Sequence, residues 1–96
     1  MGEPRFFSRD VTDDELAAEI AALQEGCFPA WRLIGTATYQ ATRGAGSAMA
    51  LHDFTRIWLE DGAGRATVVT LQRPPDGTLW RRIAASDEEA SSRAWP

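Results

Sequence analysis

Cys27 and His52 are the chain's only thiol and only imidazole, the two groups from which a thiol-dependent active site is built. Such a site needs the imidazole to meet the thiol and activate it. Neither residue lies in a recognisable catalytic signature. Cys27 follows a predicted helix end, where small apolar residues usually close a core. We therefore interpret Cys27 as a structural, buried or half-buried residue. One Cys and one His also fall short of a zinc ligand set, so no metal or cofactor is expected.

A small-molecule pocket between a helix and a curved sheet is an alternative use of the polar side chains. Tyr39, His52 and Asp53 are its candidate polar groups. His52 and Asp53 are adjacent, so in a strand they point to opposite faces and do not form a pair. The glycine-rich segment 44–47 lacks the lysine of a phosphate-binding loop and is interpreted as a flexible connection.

The most informative constellation combines Trp and Arg on two predicted neighbouring strands. Strand alternation places Trp58 and Arg56 on one face of their strand, and Trp80 and Arg82 on one face of theirs. The opposite faces carry the aliphatic residues expected in the core, which are Ile57, Leu59, Leu79 and Ile83. Trp and Arg are enriched at interface hot spots. We therefore predict that these two Trp and two Arg side chains form one contact surface on the exposed face of the sheet.

The elements that position these residues begin with a helix. Residues 12–15 form a capping box, in which the Thr12 hydroxyl accepts from the Glu15 N–H and the Glu15 carboxylate accepts from the Thr12 N–H. Apolar residues then recur at helical spacing, and Gly26 is a typical residue to follow a helix end. The pattern predicts one amphipathic helix over residues 13–25.

Four strands are predicted after the helix. Residues 31–42 alternate apolar and polar side chains, with a bulge or a close backbone approach indicated at Gly35. Residues 48–60 fit a helix or a strand, and we favour the strand because a short turn leads into the strongly β-prone segment 65–73. The turn Pro74-Pro75-Asp76-Gly77 leads to a last strand over residues 78–84. Residues 86–89 repeat the capping-box pattern, which allows a short C-terminal helix.

Charge is distributed unevenly along the chain, whose net charge is −4. Residues 1–30 carry two Arg against seven acidic residues, residues 31–84 carry seven Arg against four, and residues 85–96 carry one Arg against three. The overall negative charge argues against nucleic-acid binding, which depends on positive charge. A single cysteine, no signal-peptide pattern and no long apolar run lead us to expect a cytoplasmic protein without a membrane association.

The sequence thus predicts a single α+β domain over residues 1–96, an N-terminal amphipathic helix packed on a four-stranded antiparallel meander. Residues 1–10 and 86–96 are candidates for flexible termini. The predicted function is a small non-enzymatic protein-interaction or regulatory module that binds a protein partner or a second copy of itself, as a homodimer formed through the sheet. The competing interpretations are a second small core that buries the Trp residues under the termini, and a pocket that makes the protein a small-molecule-binding domain or an enzyme.

Overall fold

The structure, a computed structural model, describes residues 2–84. Its elements are a strand β1 (Val11–Thr12), a helix α1 (Asp13–Gln24) and four longer strands, β2 (Trp31–Arg43), β3 (Ala50–Asp61), β4 (Ala66–Arg73) and β5 (Leu79–Ile83). Short 3-10 helices occupy Arg5–Phe7 and Gly46–Ala48. The helix predicted from residues 86–89 lies outside the described residues.

All pairs of neighbouring strands are antiparallel, in the order β1-β5-β4-β3-β2. The predicted meander is present as β2 to β5. The prediction of four strands missed β1, whose Val11 lies opposite Trp80. Two residues are too short for a strand pattern to be recognised in a sequence, and β1 exists because it extends the edge of β5. The α+β class is confirmed, with a five-stranded sheet.

Helix α1 begins and ends with the local signals expected of it. Both hydrogen bonds of the capping box are formed between Thr12 and Glu15. The helix ends at Gln24, one residue earlier than predicted, and Gly26 has a φ of 77°. The N–H groups of Gly26 and Cys27 donate to the carbonyls of Leu23 and Ala22, which is the Schellman arrangement. These bonds satisfy carbonyls that the helix itself leaves without partners.

The segment that fitted either a helix or a strand is the strand β3. It lies between β2 and β4 and pairs with both. Central placement lets both sides of its backbone form hydrogen bonds, and this outweighs the helix-like spacing of its apolar residues.

The two faces of the sheet bury different clusters. On the first face, α1 packs its Leu16 and Leu23 on a core of buried strand residues, together with Phe6 and Phe28; the strand residues are Val11, Ile57, Leu59, Val69, Leu71 and Trp80. The second face carries a smaller cluster of Ala41, Phe54 and Ile83, with Tyr39 packed against it. Because Phe6 is 1% exposed, the N-terminal segment considered a candidate flexible terminus contributes to the core.

A β-bulge changes the face on which the residues of β2 lie. The register with β3 shifts between Leu33 and Gly35, as the glycine indicated. Trp31 and Leu33 pack on the first-face core, whereas Tyr39 and Ala41 belong to the second-face cluster. The alternation predicted over residues 31–42 therefore does not keep its apolar residues on one face, because the inserted residue reverses the alternation beyond it.

In residues 2–84 there is no helix of the length and apolar character needed to cross a membrane.

Candidate functional site

The structure separates the four residues predicted to form one contact surface. Trp58 and Arg56 lie on the second face and are half-buried. Trp80 is 5% exposed in the first-face core, and the exposed Arg82 two residues later shares its side of β5. The placement predicted for Trp80 and Arg82 was therefore wrong. The prediction took Leu79 as a core residue, but Leu79 is 43% exposed, and burying the larger Trp side chain removes more apolar area from water.

Trp80 and Arg82 hold other elements of the fold. The indole N–H of Trp80 donates to Asp13 Oδ1 over 2.6 Å, and Arg73 Cζ lies 4.9 Å from the Trp80 ring centroid. Arg82 donates to the carbonyl of Phe7 over 3.2 Å and lies 5.9 Å from its ring centroid. Both residues therefore attach N-terminal elements to β5.

Asp53 is part of the same network. It accepts from Arg73 over 2.7 Å and from Gln40 over 2.9 Å. These hydrogen bonds, from Arg73 first and then from Gln40, lower the pKa of Asp53 below its usual value, and the Asp53 carboxylate in turn raises the pKa of Arg73. A carboxylate in a salt bridge of this kind stabilises the fold. We therefore assign Asp53 to the fold and not to a pocket.

Half-exposed apolar residues lie next to Trp58 of the second face. Trp58 lies between Gly35 of β2 and Val68 of β4, and Ile34 is the additional residue of the bulge beside it. Val68 is 50% exposed and Ile34 is 51% exposed. A Cβ placed on Gly35 would meet no atom of residues 2–84 within 4 Å, apart from its chain neighbours. We call Ile34, Trp58 and Val68 the apolar strip; open space adjoins it over Gly35.

The second face also carries an aromatic pair. Tyr39 stacks on Phe54 with ring centroids 5.2 Å apart and an interplanar angle of 9°. Arg56 donates to the Tyr39 hydroxyl over 3.2 Å, and its Cζ lies 5.3 Å from the Tyr39 centroid. Burial raises the pKa of Tyr39, so the phenol is neutral and able to donate at physiological pH.

His52 lines a cavity of about 370 Å³ on the second face, beside the β4–β5 turn. Gln72, only 6% exposed, places its amide nitrogen 3.0 Å from His52 Nδ1. A Gln72 N–H donated to Nδ1 fits the imidazole tautomer that carries its proton on Nε2. The other lining residues are Asp10, Pro74, Gly77, Thr78, Leu79 and Arg81.

The predicted pocket residues Tyr39, His52 and Asp53 are not brought together. Of the three, only His52 lines this cavity, and the cavity does not lie between the helix and the sheet. A cavity of about 480 Å³ does lie between the end of α1 and β2. Its one ionisable lining residue, Arg32, is already paired with Glu60 at 2.9 Å.

Cys27 is exposed, which corrects the prediction of a buried or half-buried thiol. The core position after the helix end belongs instead to Phe28, which is 4% exposed. Across residues 2–84, no three His, Cys, Asp or Glu side chains are grouped so that they could hold a metal ion.

Comparison with protein-family models, curated proteins and solved structures found no match for this chain. Its class is therefore the one its own fold defines, an α+β domain with a helix on one face of an antiparallel sheet.

Ile34 and Val68, each about half exposed, were not identified from the sequence. Each looks like an ordinary core residue in its strand pattern. Their exposure depends on which face α1 covers and on the bulge, and neither follows from local spacing alone.

Proposed function

We propose that this protein is a small non-enzymatic interaction module that self-associates through its sheet. The observation that supports it is the apolar strip, with one half-buried Trp and two half-exposed aliphatic side chains next to the open space over Gly35. Large contiguous apolar patches are rare on monomers, and exposed apolar side chains that adjoin one another are therefore candidate interaction sites.

The residue types of the apolar strip suit an interface. Trp58 offers a large apolar area at low conformational cost, and Arg56 two residues earlier on the same face is a polar neighbour for it. The absence of a side chain at Gly35 leaves one side of the Trp58 position able to receive a group from a partner. Ile34 and Val68 are half-exposed and add apolar area next to Trp58.

The test is the mass in solution over a range of concentrations, measured by sedimentation equilibrium. A concentration-dependent dimer is expected. Trp58→Ala should weaken it by about 2 kcal/mol or more, which is roughly 30-fold in the dissociation constant. The control is Leu51→Ala, which removes a 53% exposed apolar side chain outside the apolar strip and should leave the dimer unchanged. A protein that stays monomeric at all concentrations would contradict the proposal.

A second candidate function is small-molecule binding at the cavity of His52. The observation that favours it is the buried amide of Gln72, which orients the imidazole. With Arg81 and the His52 imidazole as donors and Asp10 as acceptor, the cavity suits a small ligand that carries both an anionic group and a donor.

Glycine, acetate and inorganic phosphate are suitable probes for this cavity. Binding of glycine should shift the imidazole proton resonances of His52, and Gln72→Leu should abolish the binding because it releases the ring. Unchanged resonances with all three probes would remove this candidate.

A further inference from the structure

Strand β2 is an outer strand of the sheet formed by residues 2–84. Among the described residues it pairs only with β3, although it is 13 residues long. Residues 33–42 contain no charged residue and no proline, in a chain of which 25% is charged. Monomeric proteins usually protect such edges with charges, prolines, bulges or short strands, because free backbone groups invite another strand. Here the bulge at Gly35 is the one such device in the sequence of this stretch, and no charge or proline follows it as far as residue 42.

We infer that β2 pairs with β2 of a second copy, antiparallel and centred on Ala37, so that two sheets join into one. This inference rests on the proposed function and specifies its geometry. A two-fold axis that relates antiparallel edge strands stands perpendicular to the sheet, so both second faces lie on the same side. Directly opposite residues then share a face, and one residue of β2 must lie on the axis.

With Ala37 on the axis, the second faces of the two copies fit each other. Gly35 comes opposite the partner's Tyr39; that ring stays stacked on its own Phe54 and borders the open space over the glycine. Trp58 and the partner's Tyr39 are then two strand spacings apart, about 10 Å between backbones. Aromatic rings on side chains that lean towards each other across such a gap can come into contact. The apolar strip thus gains an aromatic neighbour from the second copy.

The first faces are compatible in the same register. Thr36 comes opposite the partner's Thr38 and, by symmetry, Thr38 opposite the partner's Thr36; cross-strand Thr pairs are favourable. No two like charges are placed opposite each other.

Neighbouring registers are poorer. With Thr38 on the axis, Gly35 faces the partner's Ala41, a side chain too small to cover it. With Thr36 on the axis, Gly35 faces the partner's Ala37, and Tyr39 falls opposite the bulge, where the edge is irregular. Only the register centred on Ala37 matches the aromatic ring with the glycine.

The experiment is disulfide cross-linking of the full chain in a Cys27→Ser background, since the exposed native thiol would otherwise react. Ala37→Cys places two thiols directly opposite each other at the axis, within the Cα separation that a disulfide needs. Oxidised glutathione should convert it from monomer to dimer on a non-reducing gel. Ala37 and Thr38 are both exposed, so either position should accept Cys without loss of the fold.

Thr38→Cys is the matched control, because its thiol faces the partner's Thr36 and not a second thiol. It should stay monomeric, whereas the double variant Thr36→Cys/Thr38→Cys should cross-link. If the unmodified protein dimerises by mass and Thr38→Cys cross-links as readily as Ala37→Cys, the register is wrong. If the protein dimerises and none of the variants cross-links, the dimer does not use β2. A monomer at all concentrations would overturn the proposed function together with this inference.

Discussion

The indole N–H of Trp80 donates to Asp13 Oδ1 over 2.6 Å, and this contact joins the first residue of α1 to β5, 67 positions later in the chain. The Asp13 carboxylate also accepts from Arg73, with 2.6 Å between Arg73 Nη1 and Asp13 Oδ2. An acidic residue in the first helical turn is expected from the helix dipole. In this protein it also anchors the helix to two strands of the sheet.

Asp13→Ala should therefore destabilise the protein more than Asp14→Ala. Both changes remove a charge from the first turn of α1, but of these two residues it is Asp13 that bonds to Trp80 and Arg73. We expect the free energies of unfolding of the two variants to differ by about 1–2 kcal/mol. This is less than a fully buried charged hydrogen bond would contribute, because the Asp13 side chain is 62% exposed. Urea denaturation of both variants measures it. Equal losses would show that the contacts with β5 contribute no stability.

Trp80→Ala should act on the fold and not on association. The residue is 5% exposed in the core, so its truncation should cost about 3–5 kcal/mol through lost burial and a cavity. Trp80→Phe, which keeps most of the apolar volume and loses the indole N–H, should cost less. Thermal unfolding ranks the three proteins. A Trp80→Ala protein that melts like the wild type would contradict the core placement.

The capping box should show coupled energetics. Thr12→Ala should cost about 1 kcal/mol because the Glu15 N–H loses its acceptor. Combining it with Glu15→Ala should cost less than the sum of the two single losses, since the side chains act on the same helix start. A double-mutant cycle by urea denaturation is the measurement, and strict additivity would contradict the coupling.

The contribution of Glu15 should depend on pH. Its pKa is lowered from 4.5 to about 2, chiefly by the hydrogen bond from the backbone N–H of Thr12 and then by the side chain of Arg9. A pKa depressed in the folded state means that the stabilisation is complete above about pH 4.5 and is lost as the pH falls towards about 2. Glu15→Gln should therefore be less stable than the wild type at pH 6 and close to it at pH 2. The pKa of Asp53 is also lowered, but Asp53 is present in both proteins, so its effect largely cancels from the difference in stability between them. If the difference in stability between the two proteins is the same at pH 2 as at pH 6, the contribution of Glu15 does not depend on its charge.

Features that depend on a few adjacent residues could be predicted from the sequence. The helix start at Thr12, the glycine that follows its end, the bulge at Gly35 and the strand order after residue 31 are all set by hydrogen bonds or backbone preferences within short segments. The strand interpretation of residues 48–60 also followed from a local turn and the β-prone segment after it.

The tertiary structure alone decided which face each side chain occupies. The bulge reversed β2 beyond Gly35, and β5 turned Trp80 towards α1, so Trp58 and Trp80 lie on opposite faces although their strand patterns matched. Alternation along a strand gives the relative sides of its own residues but not the side that another element will cover. That choice depends on the total apolar area buried when helix and sheet meet, a sum over residues far apart in the chain.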